Sequence, residues 1–284
     1  MKEKIQEELP EYLYKYMTFE NFIDVIENKR LYLTNITMWD DVYEGKAIDD
    51  FFNYVDNDGE DEGFIRNTIY AAKRFKYAQS WKYDDADESD AMWRIYSPQK
   101  TGVRIKVSAK KVYDSIIELL TDTSKIIYYY GQDGTQYSKD LFLFNTPNYK
   151  KIEYIKNIDF KKYRINKDGE NIASNYDFYS IPFEFYKRKA FIHEKEYRFS
   201  IQINPAITSI MLSKDQRDIE DILKENEYLK AVLHYDFENI DIKEILLDPR
   251  TPEYFMETFD KYCEHRGLKD NGTVCKKSGL YTIY

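Results

Sequence analysis

An α+β fold, a single domain with a mixed, mostly antiparallel sheet flanked by helices, is what this chain predicts. Three observations carry that expectation. Short alternating apolar segments are separated by amphipathic helical ones. Their alternation is too irregular for a doubly wound parallel sheet. The seven prolines and ten glycines are spread thinly over 284 residues, with no linker-like stretch. Residues 1–284 therefore read as one domain, with insertions near 56–63 (DNDGEDEG) and 150–175.

The elements follow in order. A short strand, Leu13 to Tyr16, leads into a helix that Thr18 caps and that runs to about Asn28. Phe19, Phe22, Ile23 and Ile26 give that helix its apolar stripe. Leu31 to Leu33 is a strand, followed by a loop from Asn35 to Gly45. A helix is expected over Phe64 to Arg74, a strand over Tyr77 to Trp81 with an acidic loop after it, and a helix over Ser89 to Tyr96. Val103, Ile105 and Val107 alternate inward on the next strand, and a helix follows to Leu120. Beyond it come a β-rich run from Ile126 to Tyr130, an aromatic helix near Phe185, and a strand from Glu196 in which Tyr197, Phe199, Ile201 and Ile203 share a face. Ile207 to Leu212, Leu229 to His234 and Ile242 to Leu247 read as strands, with Asp215 to Glu225 helical. A last helix runs from Thr251 to His265 with Pro252 in its first turn, before a closing segment, Leu280 to Tyr284.

Composition excludes several classes. The 42 Lys+Arg against 51 Asp+Glu give a formal charge of -9, which argues against a general nucleic-acid binder while leaving a local basic stripe open. No apolar run is long enough to cross a bilayer, and the opening MKEKIQEELP lacks the apolar core of a secretory signal. Two cysteines and three scattered histidines make neither a disulfide framework nor an ordinary zinc site, so no metal site of that kind is expected and the cytoplasm is the expected compartment. The 28 tyrosines are most simply explained by base composition. No glycine-rich phosphate loop, serine elbow or zinc-protease helix is present in the sequence.

Three segments carry candidate chemistry. In the first (LYKYMT), Lys15 lies on a short apolar strand, where it faces either a pocket or solvent; Asp41 and Glu44 downstream are either oxygen ligands for a cation or polar loop and capping residues. The second (SWKYDDADESDAMWRIYS) puts Trp93 and Tyr96 on one helical face, as core aromatics or as a binding surface, with Arg94 beside them as a possible holder of phosphate or carboxylate. The third is the densest, KRKAFIHEKEYR. On a strand, Glu194, Glu196 and Arg198 project from one side, as an internal ion-pair ladder or as a catalytic carboxylate pair. Lys187 and Lys189 stand just before them.

Taken together, the segments LYKY, IENKRLYLTN, WDDVYEG, YAQSW, AMWRIYS, TGVRI, FYKRKAFIHEKEYRF and IKEILLDP resemble the bacterial domain of unknown function numbered twenty-nine seventy-one, from Leu13 to about Pro249. The resemblance implies a phage-defence or mobile-element setting more than an activity. It places Lys15, Asp41, Glu44, Trp93, Tyr96, Lys189, Glu194, Glu196 and Arg198 on the family pattern. A more distant likeness is to ADP-ribosyltransferases of the DarT and PARP kind. It implies NAD as substrate, Glu196 with Glu194 as catalytic carboxylates, Tyr96 stacking on nicotinamide, and Arg94 or Arg198 holding the diphosphate. Lys15 stands where those enzymes carry a His or Arg that binds the ribose. The function expected is thus a bacterial antiphage-defence or toxin-type effector acting on NAD, with no cofactor beyond that substrate and no membrane partner. The target is an unknown protein or nucleic acid, or a phage component. A metal-dependent nuclease using Asp41, Glu44, Glu194 and Glu196, or a non-enzymatic sensor, are the alternatives.

Overall fold

The computed structural model describes residues 7–39, 76–121, 147–156, 182–202, 232–236 and 241–282. The opening apolar segment forms β1 (Tyr12–Met17), and Thr18 caps α1 (Phe19–Asn28) by accepting from the Asn21 amide. Lys29 ends α1 in the left-handed region, φ 48°, and turns the chain into β2 (Arg30–Asn35). A 3-10 turn, Ile36–Met38, follows. Next come β3 (Lys76–Lys82), α2 (Asp90–Tyr96), capped by Ser89, β4 (Val103–Ser108) and α3 (Ala109–Thr121). β5 (Asn148–Lys151), β6 (Glu153–Ile155), β7 (Tyr186–Arg188) and β8 (Glu196–Gln202) lead to β9 (Val232–Asp236), β10 (Ile242–Leu247), α4 (Glu253–His265) and β11 (Val274–Lys277).

The main sheet runs β11-β10-β4-β1-β3-β2-β9, with β8 on β3 and β5 on β8; β6 and β7 pair separately in parallel. Apart from the parallel β10 and β11 pair, its ladders are antiparallel, so the α+β expectation stands. One face is apolar: Leu13, Leu31, Leu33, Val103, Ile105, Val107, Tyr197, Phe199 and Ile201 are buried together under the helices. Phe19 meets Phe255 and Tyr262 of α4 edge-on, with ring centroids 4.9 Å and 5.8 Å apart, which ties α1 to α4. Gly102 lies where chains crowd: a Cβ there would stand 2.7 Å from the Ser97 Cβ and 2.8 Å from the Met17 carbonyl oxygen.

Two expectations are corrected, and one strand lies outside them. The aromatic segment near Phe185 is a single 3-10 turn (Phe183–Phe185), because Tyr186–Arg188 is drawn into pairing with β6. Lys150, expected in an inserted polar stretch, lies in β5 and pairs with Arg198. The strand Val274–Lys277 was not foreseen, since its alternation (VCKK) is too short to register. The expected elements at 64–74, 126–130, 207–212 and 215–225, the insertion at 56–63 and most of 150–175 lie outside the described residues. No helix among the described residues is long and apolar enough to cross a membrane.

Candidate active site

The site begins with how β3 shares its edges. Along one edge β3 pairs with β8 over its whole length, from Lys76↔Gln202 to Lys82↔Glu196. On the other edge β1 holds it only at Tyr14↔Lys82 and β2 only at Thr34↔Ala78 and Asn35↔Tyr77. Gln79, Ser80 and Trp81 therefore lie where β1 and β2 part. There the Lys15 Nζ donates to the Ser80 carbonyl at 2.9 Å and sits 5.3 Å from the Trp81 ring centroid. A cavity of about 470 Å³ opens at this point, with Lys15, Trp39, Trp81, Tyr96, Glu194, Glu196 and Arg198 in its lining.

The sheet face turned away from the apolar core is charged and yet buried. Glu196 and Arg198 alternate with Tyr197 and Phe199 on β8, so the same strand register that packs the rings also places the ions. Glu194 was expected on that strand; it is instead the last residue of a 3-10 helix, Lys189–Glu194. Lys195, with φ 44°, then turns the chain into β8, and by this route Glu194 reaches the same cavity as Glu196. Lys187 Nζ bridges the two carboxylates, 2.6 Å from Glu194 Oε2 and 2.5 Å from Glu196 Oε1. Arg198 donates to Glu196 Oε2 at 2.6 Å and to Ser80 Oγ at 2.9 Å, and its guanidinium lies 4.3 Å from the Trp39 ring centroid.

The two carboxyls are pushed apart. Burial, and then a proton shared with Glu196, raise Glu194 to about 7, against the pull of Lys187. Burial alone would raise Glu196 too, but Arg198, the hydrogen bond from Glu194, and Lys187 together hold it well below the usual carboxylate range. At neutral pH the pair is thus one carboxylate beside a group that still holds a proton part of the time. That division of labour is what acid and base chemistry at a single centre requires. Lys15 is pushed down to about 8 by burial, with Glu196 opposing.

Three further ionic groups support the wall. Lys82 donates to the carbonyls of His193 and Glu194 at 3.0 Å and 3.2 Å, fixing the end of the 3-10 helix. Tyr16 donates to Asp85 at 2.6 Å, and Arg104 joins Asp85 at 3.0 Å to Glu244 at 2.8 Å. Burial pushes the Asp85 carboxyl up, against Tyr16 and Arg104. Behind Arg198, whose Nη1 donates to the Glu184 carbonyl at 2.5 Å, a fully buried Lys76 pairs with Glu184 at 2.7 Å. Buried ion pairs barely offset their desolvation cost, so a layer of them adds little stability over an apolar layer of the same shape.

The structure thus brings Lys15, Tyr96, Glu194, Glu196 and Arg198 to one cavity. Trp93 packs behind it, fully buried, 4.8 Å edge-on from the Tyr16 ring and bonded to Glu88. Arg94 is exposed and pairs with Asp90 at 2.8 Å, outside the lining. Lys189 is exposed at the start of the 3-10 helix, also outside the lining. Asp41 and Glu44 lie outside the described residues, among which no group of three His, Cys, Asp or Glu comes together as metal ligands. Residues that spacing alone did not assign are Lys187, Trp81 and Trp39. The lysine was hidden because its partners are seven and nine positions away, across a 3-10 helix.

Neither a curated protein nor a solved structure matches the chain. Residues 92–199, which carry Trp93, Tyr96, Glu194, Glu196 and Arg198 but not Lys15, match the model of a family described as a protein of unknown function (DUF2971), so the resemblance expected from the sequence holds over that segment.

Proposed function

We propose that the cavity is the active site of an ADP-ribosyltransferase-like enzyme that breaks the nicotinamide glycosidic bond of NAD, in a bacterial antiphage-defence or toxin-type effector. The observation that carries the reading is the paired Glu194 and Glu196, clamped by Lys187 and Arg198 in a cleft walled by aromatic rings. Four cationic side chains line it against two carboxylates, a local surplus in a chain of net charge -9. Such a cleft favours an anionic ligand with a flat ring system, as a dinucleotide has.

The residues take distinct roles. As the bond between ribose C1′ and nicotinamide breaks, its electron pair leaves with the nicotinamide and positive charge grows on the ribose. The ionised Glu196 faces that charge and stabilises it more in the transition state than in the ground state. The attacking hydroxyl or water gives up its proton to the carboxylate pair, Glu194 supplying the proton-exchanging half. Lys15 and Arg198 draw in the diphosphate, and Tyr96 and Trp39 offer ring faces to the nicotinamide or adenine. The test is nicotinamide release from NAD, followed by chromatography, with the wild type and Glu196→Gln. Release that is lost in the folded variant is expected; release unchanged by the substitution, or none from the folded wild type, overturns the reading.

A further inference from the structure

The three lysines that line the cavity are not equivalent. Lys187 has two carboxylates at ion-pair distance, and Lys82 has Asp85 at 3.8 Å together with two carbonyl acceptors. Lys15 has neither arrangement: among the described residues its ammonium makes one hydrogen bond, to the Ser80 carbonyl, and no ion pair. It stands at the point where β1 and β2 separate, beside the Trp81 ring, in the lining of the same cavity as Glu194. An amine with no ion-pair partner among the described residues, part-buried next to an indole, is the environment in which lysine becomes a nucleophile rather than a point charge. Glu194, in the lining of the same cavity, supplies the carboxyl that carbonyl condensation there needs as a proton donor.

We infer that Lys15 is a reactive amine that captures small anionic aldehydes or ketones as an imine in this cavity. The Nζ lone pair adds to the carbonyl carbon, forming the C–N bond while the C–O π pair moves to oxygen. A proton passes from nitrogen to that oxygen, giving a neutral carbinolamine. Glu194 then protonates the hydroxyl, the C–O bond breaks, water leaves, and the nitrogen pair closes the iminium; Glu194 is left as carboxylate. The cation surplus of the lining selects for an anionic carbonyl compound, and the iminium gains from Glu196, whose negative charge already acts on Lys15. The inference shares the cavity with the reading above but not its chemistry, and it needs no NAD turnover.

The full-length protein is incubated at pH 7 with glyoxylate and sodium cyanoborohydride, which reduces an iminium to a stable amine, and the adduct is mapped by peptide mass spectrometry. With Lys15 at about 8, its neutral fraction at pH 7 is about 300-fold that of a lysine at 10.5. Part of that advantage is lost to weaker nucleophilicity and restricted entry, so labelling at Lys15 is expected roughly 10- to 100-fold faster than at exposed lysines. Glu194→Gln should slow labelling at Lys15 while leaving surface sites unchanged, and Lys15→Arg should remove the fast phase. Because the map is read on the wild type, misfolding of a variant does not mask the answer. Labelling spread over surface lysines with Lys15 no faster than they are overturns the inference, as does fast labelling that Glu194→Gln leaves untouched.

Discussion

Substituting Glu194 by Gln tests the electrostatics of the site without any ligand. The glutamine keeps the shape and a donor toward Glu196 but cannot ionise. In the folded protein Glu194 holds its proton up to about 7, against an ordinary value of 4.5 in the unfolded chain. Between those values the folded state binds a proton that the unfolded state has released, so wild-type stability falls as pH rises through that window. At ~1.4 kcal/mol per pH unit the full effect is about 3 kcal/mol, of which the sharing of the proton with Glu196 leaves about 1–2 kcal/mol to Glu194. Glu196 acts in the opposite sense: its folded carboxyl is held below the ordinary range, so the stability it confers is lost only as pH falls beneath 4.5, outside this window. Urea unfolding of wild type and Glu194→Gln, from pH 5 to pH 8, should therefore show the variant gaining about 1–2 kcal/mol on the wild type as pH rises. Parallel stability curves across that range would refute the shared-proton description of the pair.

Other substitutions probe the wall and the periphery. Lys76→Met leaves Glu184 charged and buried beside Ser200, and should cost about 3–5 kcal/mol in chemical denaturation. Gly102→Ala drives a methyl against the Ser97 side chain and the Met17 carbonyl, and should lower stability by about 1–3 kcal/mol in the same assay. Arg94→Ala removes an exposed pair on α2 outside the cavity, so the melting temperature and any turnover of NAD should match the wild type; a large loss of turnover would place Arg94 in the site.

Much of the fold was legible because its physics is local. The Thr18 cap, the inward Val103, Ile105 and Val107, and the face shared by Tyr197, Phe199 and Ile201 all follow from spacing within one element. The same alternation placed Glu196 and Arg198 together. What was not legible depends on contacts far apart in sequence. Glu194 reaches the pair because Lys195 adopts a positive φ, which side-chain type does not announce. Arg94 and Trp93 are neighbours in the chain, yet the helix that places them sends one to solvent and the other into the packing behind Tyr16. The opening between β1 and β2 exists only because two strands share one edge of a third, 65 residues beyond Lys15 at Ser80.

Tryptophan fluorescence during titration with NAD tests the central claim most directly, because the chain's three tryptophans divide cleanly. Trp39 and Trp81 line the cavity, and Trp93 is fully buried outside its lining. A dinucleotide bound there stacks on or shields the first two, so a saturable change in emission is expected in the wild type and should vanish in the double variant Trp39→Phe with Trp81→Phe, whose remaining signal is that of Trp93. A titration that leaves the wild-type emission flat, or a saturable change that survives in the double variant, would contradict the assignment of this cavity as the NAD site.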